Sequence, residues 1–181
     1  MRKLLVFIAT SLDGYIAKPN DDLSFLKLVE KEGEDYGYAA FASTVDTIIV
    51  GRKTFDYVFK EIGPSHYDDG KKAVFVITKT ARPNIGKISF YTGNLTDLVK
   101  RLKSEREEKH IYCDGGAEVI DELLKNDLVD EVIISIIPIL LGEGTKLFKS
   151  GRPEQKLSLI STKQFDTGLT QLHYRLVSEA E

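Results

Sequence analysis

HIYCDGGAEVIDELLKNDLVDEVIISIIPILLGEGTKLF, residues His110 to Phe148, is the stretch whose reading decides the fold. His110 to Cys113 is a short apolar run, Gly115 and Gly116 follow at once, and Ala117, Val119, Ile120, Leu123 and Leu124 then recur at helical spacing. That order reads as strand, glycine turn, helix. Such a turn leaves bare backbone N–H groups at a helix N-terminus, where the macrodipole is positive and a missing Cβ lets a phosphate approach. Glu131 to Leu140 is apolar almost throughout, which predicts a strand buried on both faces, ending at Pro138 and the loop LLGEGTKLF. The stretch therefore predicts a nucleotide site beside a sheet. An isolated Gly-Gly pair equally fits a plain sharp turn, so the rest of the chain has to decide.

Working outward, 181 residues with 42% hydrophobic content suffice for one well-buried core and are short for two, so a single domain over 1–181 is expected. Lys and Arg number 25 against 28 Asp and Glu, a formal net charge of -3 that asks for neither nucleic acid nor an anionic membrane as partner. Leu4 to Ala9 is too short for a secretory core and is interrupted by Thr10, Ser11 and Asp13. One cysteine, Cys113, forms no internal disulfide and suits a reducing cytoplasm, where it reads as a small hydrophobe. His66, His110 and His173 are scattered without ligand spacing, so no metal is expected.

In chain order, Lys3 to Ala9 reads as a strand, Ser11 to Gly14 as a turn, and Tyr15 to Ala17 as a brief return to strand. A helix is predicted from Asp22 or Ser24 through Phe25, Leu26, Leu28 and Val29, interrupted at Gly33, with a second helical piece over Asp35 to Ser43. Strand Asp46 to Val50 runs straight into Gly51-Arg52-Lys53-Thr54 and a helix striped by Phe55, Val58, Phe59 and Ile62. A loop over Gly63 to Gly70 precedes strand Ala73 to Thr78, which ends in the cationic run Thr78 to Pro83. Ile88 to Tyr91 is a short strand, and Leu95, Leu98, Val99 and Leu102 trace a helix capped by Asn94 or Thr96. Lys156 to Phe165 and Leu169 to Val177, joined by Asp166-Thr167-Gly168, signal a terminal hairpin.

About eight strands and four or five helices in this order predict a mostly parallel sheet covered on both faces, with antiparallel strands at one edge. Strands end in glycine or cations at three places, Val50 to Thr54, Thr78 to Lys79 and Cys113 to Glu118. Ligands of open α/β sheets bind beyond the carboxyl ends of the strands, so the three turns can converge on one phosphorylated cofactor. Neither G-x-G-x-x-G nor a Walker motif occurs, so neither an ordinary Rossmann dehydrogenase nor a P-loop NTPase is supported. A G-x-S-x-G nucleophile elbow is absent too.

SLDGYIA (Ser11 to Ala17), VDTIIVGRKTF (Val45 to Phe55), VITKT (Val76 to Thr80), CDGGAEVIDELLKNDLVDEV (Cys113 to Val132) and PILLGEGTKLF (Pro138 to Phe148) together resemble the dihydrofolate reductase-like family that includes the RibD C-terminal reductase domain of bacterial riboflavin biosynthesis. The resemblance is strongest to its small standalone bacterial members. It implies a three-layer α/β/α dihydrofolate reductase-like fold, NADPH as cofactor, and hydride transfer to a pterin-like or pyrimidine-like substrate, a phosphoribosylamino-pyrimidine among them. By the same resemblance Gly51, Arg52, Lys53 and Thr54 would hold cofactor phosphates, Thr78 and Lys79 would reach the adenine ribose 2′-phosphate, and Gly115, Gly116, Ala117 and Glu118 would line the remaining phosphate turn. The backbone of Ala9 and Ile16 would face the nicotinamide. Arg52, Lys53 and Lys79 are the cations a 2′-phosphate wants, where an NAD site offers a carboxylate.

For the substrate side the resemblance implies an acidic residue on the first helix, with Glu30 and Asp35 both placed to supply it, while Asp13 reads better as the cap of its own turn. Asp114 stands where the riboflavin reductase domain has a substrate-facing glutamate. The chain has no tryptophan, where dihydrofolate reductases carry one on that helix, and no H-x-E with P-C-x-x-C of a deaminase. Two other classes remain open: an inactive NADPH-binding sensor, and an interaction protein whose cationic turns are solvated loops. Relatives pair through their C-terminal strands, and apolar residues over Ile133 to Leu141 and the final hairpin agree with a homodimer.

Overall fold

A computed structural model describes residues 2–67 and 70–177. Asp68 and Asp69 of the expected loop lie outside the described residues. The described residues form ten strands: β1 (Leu4–Ser11), β2 (Tyr15–Ala17), β3 (Val45–Gly51), β4 (Ala73–Ile77), β5 (Ile88–Tyr91), β6 (His110–Cys113), β7 (Glu131–Ile137), β8 (Thr145–Lys146), β9 (Leu157–Gln164) and β10 (Thr170–Leu176). The α-helices are α1 (Tyr38–Ser43), α2 (Arg52–Glu61), α3 (Leu95–Ser104) and α4 (Ala117–Lys125).

Eight strands form one sheet in the order β5-β4-β3-β6-β1-β7-β10-β9. Pairing is parallel from β5 across to β7, and antiparallel for β7 with β10 and for β10 with β9. Strand alternation feeds two cores. Ile49, Ile111 and Cys113 point to the face covered by α3 and α4, where Leu98, Val99, Leu123 and Leu124 are buried. Ile48, Val50 and Tyr112 point to the other face, which α1 and α2 cover with Phe41, Phe55 and Val58. Each fully buried large aliphatic side chain contributes about 1.5–3 kcal/mol, so both faces must be covered for the sheet to persist. The result is the three-layer α/β/α arrangement with its antiparallel pair at one edge.

Three local expectations are corrected. β7 stops at Ile137 rather than Leu140, because Pro138 has no N–H to donate and Ile139 N–H turns back to the Ile137 carbonyl at 2.8 Å. The predicted first helix is only a 3-10 segment, Ser24–Val29, and the second begins at Tyr38 rather than Asp35. Left-handed dihedrals at Gly33, Tyr36 and Gly37 break the run, and the Asp35 carboxylate accepts from the N–H groups of Gly37 and Ala39, both at 2.8 Å. The loop after β7 also contains a strand, β8, antiparallel to β2 in a sheet of their own. Gly144 permits that contact: it has φ +134°, and a Cβ there would lie 2.1 Å from the Ala17 carbonyl oxygen.

Candidate active site

β3 and β6 are parallel neighbours, so the turns leaving their carboxyl ends lie side by side. α2 and α4 start from Gly51 and Gly116 with no side-chain cap, which leaves their first N–H groups for a ligand. Gly51 N–H donates to the Gly115 carbonyl at 2.7 Å and Asp114 N–H to the Ile49 carbonyl at 2.9 Å, locking the two turns together. The Gly115–Gly116 peptide is cis. A Cβ on Gly116 would sit 2.9 Å from Thr54 Oγ1, and one on Gly51 would sit 3.2 Å from Val119 Cγ2. The missing side chains therefore make a cradle between two helix N-termini. Ala117 is buried beneath it, while Glu118 is exposed and paired with Lys149.

Cations gather beside this cradle. Arg52 Nη1 lies 2.8 Å from Asp56 Oδ2, and Arg82 Nη1 lies 2.9 Å from Asp56 Oδ1, so one carboxylate holds two guanidinium groups. Partial burial works against the charge on Asp56, but hydrogen bonds from Arg82 and Arg52 outweigh it and keep the carboxyl below its ordinary range. Arg82 also lies over the Phe90 ring, 5.5 Å from its centroid. Thr78 Oγ1 is 3.2 Å from the Thr80 N–H, and Lys53 and Lys79 are exposed alongside. Arg82 is a member that sequence reasoning left unassigned. Its only signal was the cationic run after β4, and only the fold shows that the run meets α2.

Asp114, between β6 and the glycines, is held in an aromatic pocket. Tyr67 Oη donates to its Oδ2 at 2.5 Å, Tyr112 Oη donates to its Oδ1, and His66 Nε2 stands 4.0 Å from Oδ2. Burial pushes the Asp114 carboxyl up from its ordinary range, opposed by the two tyrosine hydrogen bonds and by His66. Its side chain keeps 19% exposure, so the group is sheltered yet reachable. Tyr38, half-buried nearby, is pushed up to about 12 by desolvation and the Asp114 charge. Tyr67 stacks on Phe55 at 5.3 Å. Tyr67, Tyr112 and His66 were missed as site residues, because they come from a loop, a strand and a loop that no local spacing connects.

A cleft of about 540 Å³ opens over β1 and β7 on the same face. Phe7, Ala9, Leu26, Val29, Ile137 and Leu169 make it apolar, and Glu30, Lys31, Glu32, Glu34 and Asp35 edge it. Ala9 and Ser135 face each other in register, and Ser135 Oγ accepts from Gln171 Nε2 at 3.1 Å. The cleft and the Asp114 pocket share a wall: the Phe7 carbonyl oxygen lies 3.2 Å from Tyr112 Oη, and the Phe7 ring meets Tyr38 edge-on. Glu30 is exposed at the end of the 3-10 segment, and Asp35 edges the cleft while its carboxylate caps α1. Ile16 packs with the core on the α3 and α4 side and does not line the cleft. Asp13 accepts from Ser11 Oγ and from the N–H groups of Leu141 and Gly142, tying two loops together. Among the described residues no group of three or more His, Cys, Asp or Glu is placed to hold a metal, and no helix is long and apolar enough to cross a membrane.

The chain is 40% identical over 175 residues to the uncharacterized protein YwjB of Bacillus subtilis (strain 168), covering 96% of this chain and 97% of that one. A putative riboflavin biosynthesis protein from Shewanella sp. PV-4 superposes with TM-score 0.86 at 34% identity, over 97% of this chain and 99% of that one. Dihydrofolate reductase from Enterococcus faecalis, solved with NADP(H), shares the fold at TM-score 0.65 and 15% identity, over 97% of both chains. Residues 2–171 match the RibD C-terminal domain, and the chain belongs to that family of reductase-type, dihydrofolate reductase-like proteins.

Proposed function

We propose that this protein is an NADPH-dependent reductase that delivers hydride to a pterin-like or pyrimidine-like ring. One observation carries the reading: two glycine-capped helix N-termini touch at the carboxyl ends of neighbouring parallel strands, beside the Arg52–Asp56–Arg82 cluster and one wall away from an apolar cleft. The donor set fits the cofactor. Backbone N–H groups of the Gly51 and Gly116 turns and the Thr54 hydroxyl suit a pyrophosphate, and Arg52, Arg82, Lys53, Lys79 and Thr78 suit a 2′-phosphate. When bound, NADPH supplies a hydride from its nicotinamide ring.

The chain's own residues do the rest. Ala9 is small enough to let a flat ring lie against β1, and the apolar floor excludes water from the acceptor. Asp114, protonated over a wider pH range than an exposed carboxyl, stands across the Phe7–Tyr112 wall from the cleft as the proton reserve of the site. His66, 4.0 Å from Asp114 Oδ2 and partly exposed, links that carboxyl to solvent. Glu30 and Asp35 stand where a substrate's donor groups emerge, although Asp35 also serves its cap.

The proposed assembly is a homodimer formed through β9, supported by an edge strand that exposes Leu157, Leu159 and Ile160. A cytoplasmic setting is supported by the single cysteine, Cys113, which stays a free thiol. Thermal unfolding with NADPH and NADH in parallel tests the central claim, since a ligand bound only by the folded state raises its stability. A larger rise with NADPH, lost on changing Arg52 and Lys79 to alanine, is the expected result. No rise with either nucleotide would remove the reductase reading, and NADPH binding without turnover on any ring substrate would leave a sensor.

A further inference from the structure

The cations near the cradle are matched by the opposite charge at the cleft. Glu30, Glu32, Glu34 and Asp35 place four carboxylates along its edge, against the single ammonium of Lys31. Lys31 is itself engaged by Asp166 at 3.2 Å. Lys163 Nζ comes near Gly37 but does not line the cleft. Glu34 and Asp35 are partly spent on backbone N–H groups, whereas the side chains of Glu30 and Glu32 are exposed and their carboxylates make no hydrogen bond or ion pair among the described residues. Deeper in, Ser135 lines the floor at 4% exposure, and because its oxygen accepts from Gln171 its own proton is left to donate. The cleft thus offers a flat apolar slot, one buried donor, and a mouth that repels anions.

We propose that the substrate is an unphosphorylated heterocycle, neutral or cationic where it leaves the cleft, and that phosphorylated compounds of the phosphoribosylamino-pyrimidine type are rejected. The inference rests on the reductase reading for its chemistry but not for its binding preference. A phosphate needs guanidinium, ammonium or helix N-terminal donors, and here those groups stand at the ends of β3 and β4, where the cofactor's phosphates use them. Set among carboxylates it meets like charge, which costs affinity and discriminates between partners. Amino groups on a pteridine or pyrimidine ring find acceptors at the same place.

The test uses two matched pairs, 5-amino-6-ribosylaminouracil with its 5′-phosphate and 7,8-dihydroneopterin with its 3′-phosphate. Each is titrated against thermal unfolding with and without NADPH, so a chain that ignores NADPH yet discriminates loses the reductase reading alone. The expected result is binding of at least one unphosphorylated compound, with its phosphate ester about tenfold or more weaker at low ionic strength and the gap narrowing as salt rises. The double variant Glu30→Lys/Glu32→Lys, shown to be folded by an unchanged far-UV spectrum and cooperative melt, reverses the order. Equal or tighter binding of the phosphate esters by the wild type overturns the proposal, as does binding of neither pair. An unchanged order in the double variant overturns it equally.

Discussion

Tyr67→Phe removes one oxygen atom from the candidate site and little else. The ring stays buried at 1% exposure against Phe55, while Asp114 Oδ2 loses the donor that lies 2.5 Å from it. A hydrogen bond to a charged group contributes about 1.5–3 kcal/mol net, and for a chain of this size that is a fall in melting temperature of roughly 3–12 °C. The sign with pH follows from the carboxyl. Burial raises its folded-state pKa above the ordinary value of 3.8. Between those two values the folded state binds more protons than the unfolded state, so stability falls as pH rises through that window. Losing Tyr67 Oη removes a group that favours the ionised form. It raises the pKa further, and the variant's deficit must grow as pH rises.

Thermal unfolding of wild type and Tyr67→Phe without ligand, across the range from acid to slightly alkaline, reads this directly. Asp114→Asn completes the cycle: with the ionisable group gone, adding Tyr67→Phe costs less and the cost no longer varies with pH. A deficit below about 0.5 kcal/mol that is flat with pH would refute the reasoning, since the Tyr67 bond would then not be holding a carboxylate.

Arg82→Ala and Arg52→Ala should each weaken NADPH by about tenfold while changing NADH little, measured by fluorescence titration, because both guanidinium groups are partly exposed and share one carboxylate; equal losses for both nucleotides would separate the cluster from the 2′-phosphate. Asp13 is held at about 2 by the Ser11 hydroxyl and by the N–H groups of Gly142 and Leu141, so its clamp on the 138–144 loop is present above pH 3.8 and lost as pH falls toward 2. Asp13→Asn should lower the hydrogen-exchange protection of the Leu141 and Gly142 amides at neutral pH, and unchanged protection would contradict the clamp. Leu159→Lys should convert a dimer to a monomer in light scattering at micromolar concentration, and a wild-type monomer there would sink the proposed β9 interface.

Periodicity made the sheet legible because its central strands are buried on both faces and its α2, α3 and α4 stripes are strong. It failed where conformation is set by tertiary contact. Phe25 and Val29 promised an ordinary helix, but Tyr36 takes a left-handed backbone with its hydroxyl on the Val29 carbonyl and on Thr167 of the distant hairpin turn, and no local pattern announces that. β8 was hidden because two residues carry no period; it exists by pairing with β2. The glycine turns were readable since each stands directly after a strand. The tyrosines on Asp114 were not, because residues 67 and 112 look like ordinary core aromatics until the sheet brings them together.

A net charge of -3 over the whole chain hides how charge is separated around the site. Along the sheet, Arg52 and Arg82 sit off the ends of β3 and β4, while the four cleft carboxylates sit over β1 and β7, with β6 and Asp114 between. A site polarised in this way has a direction: the phosphate-bearing partner is drawn to one end and repelled from the other. Salt should therefore act with opposite signs at the two ends. Raising ionic strength weakens NADPH, whose phosphates face cations, and strengthens any anionic ring compound, whose charge faces carboxylates. Titrating both at a series of salt concentrations gives two slopes of log affinity. Slopes of opposite sign support a polarised site; slopes that fall together would mean that substrate and cofactor are held by the same cations, and the cleft over β1 and β7 would no longer be the place where the ring binds.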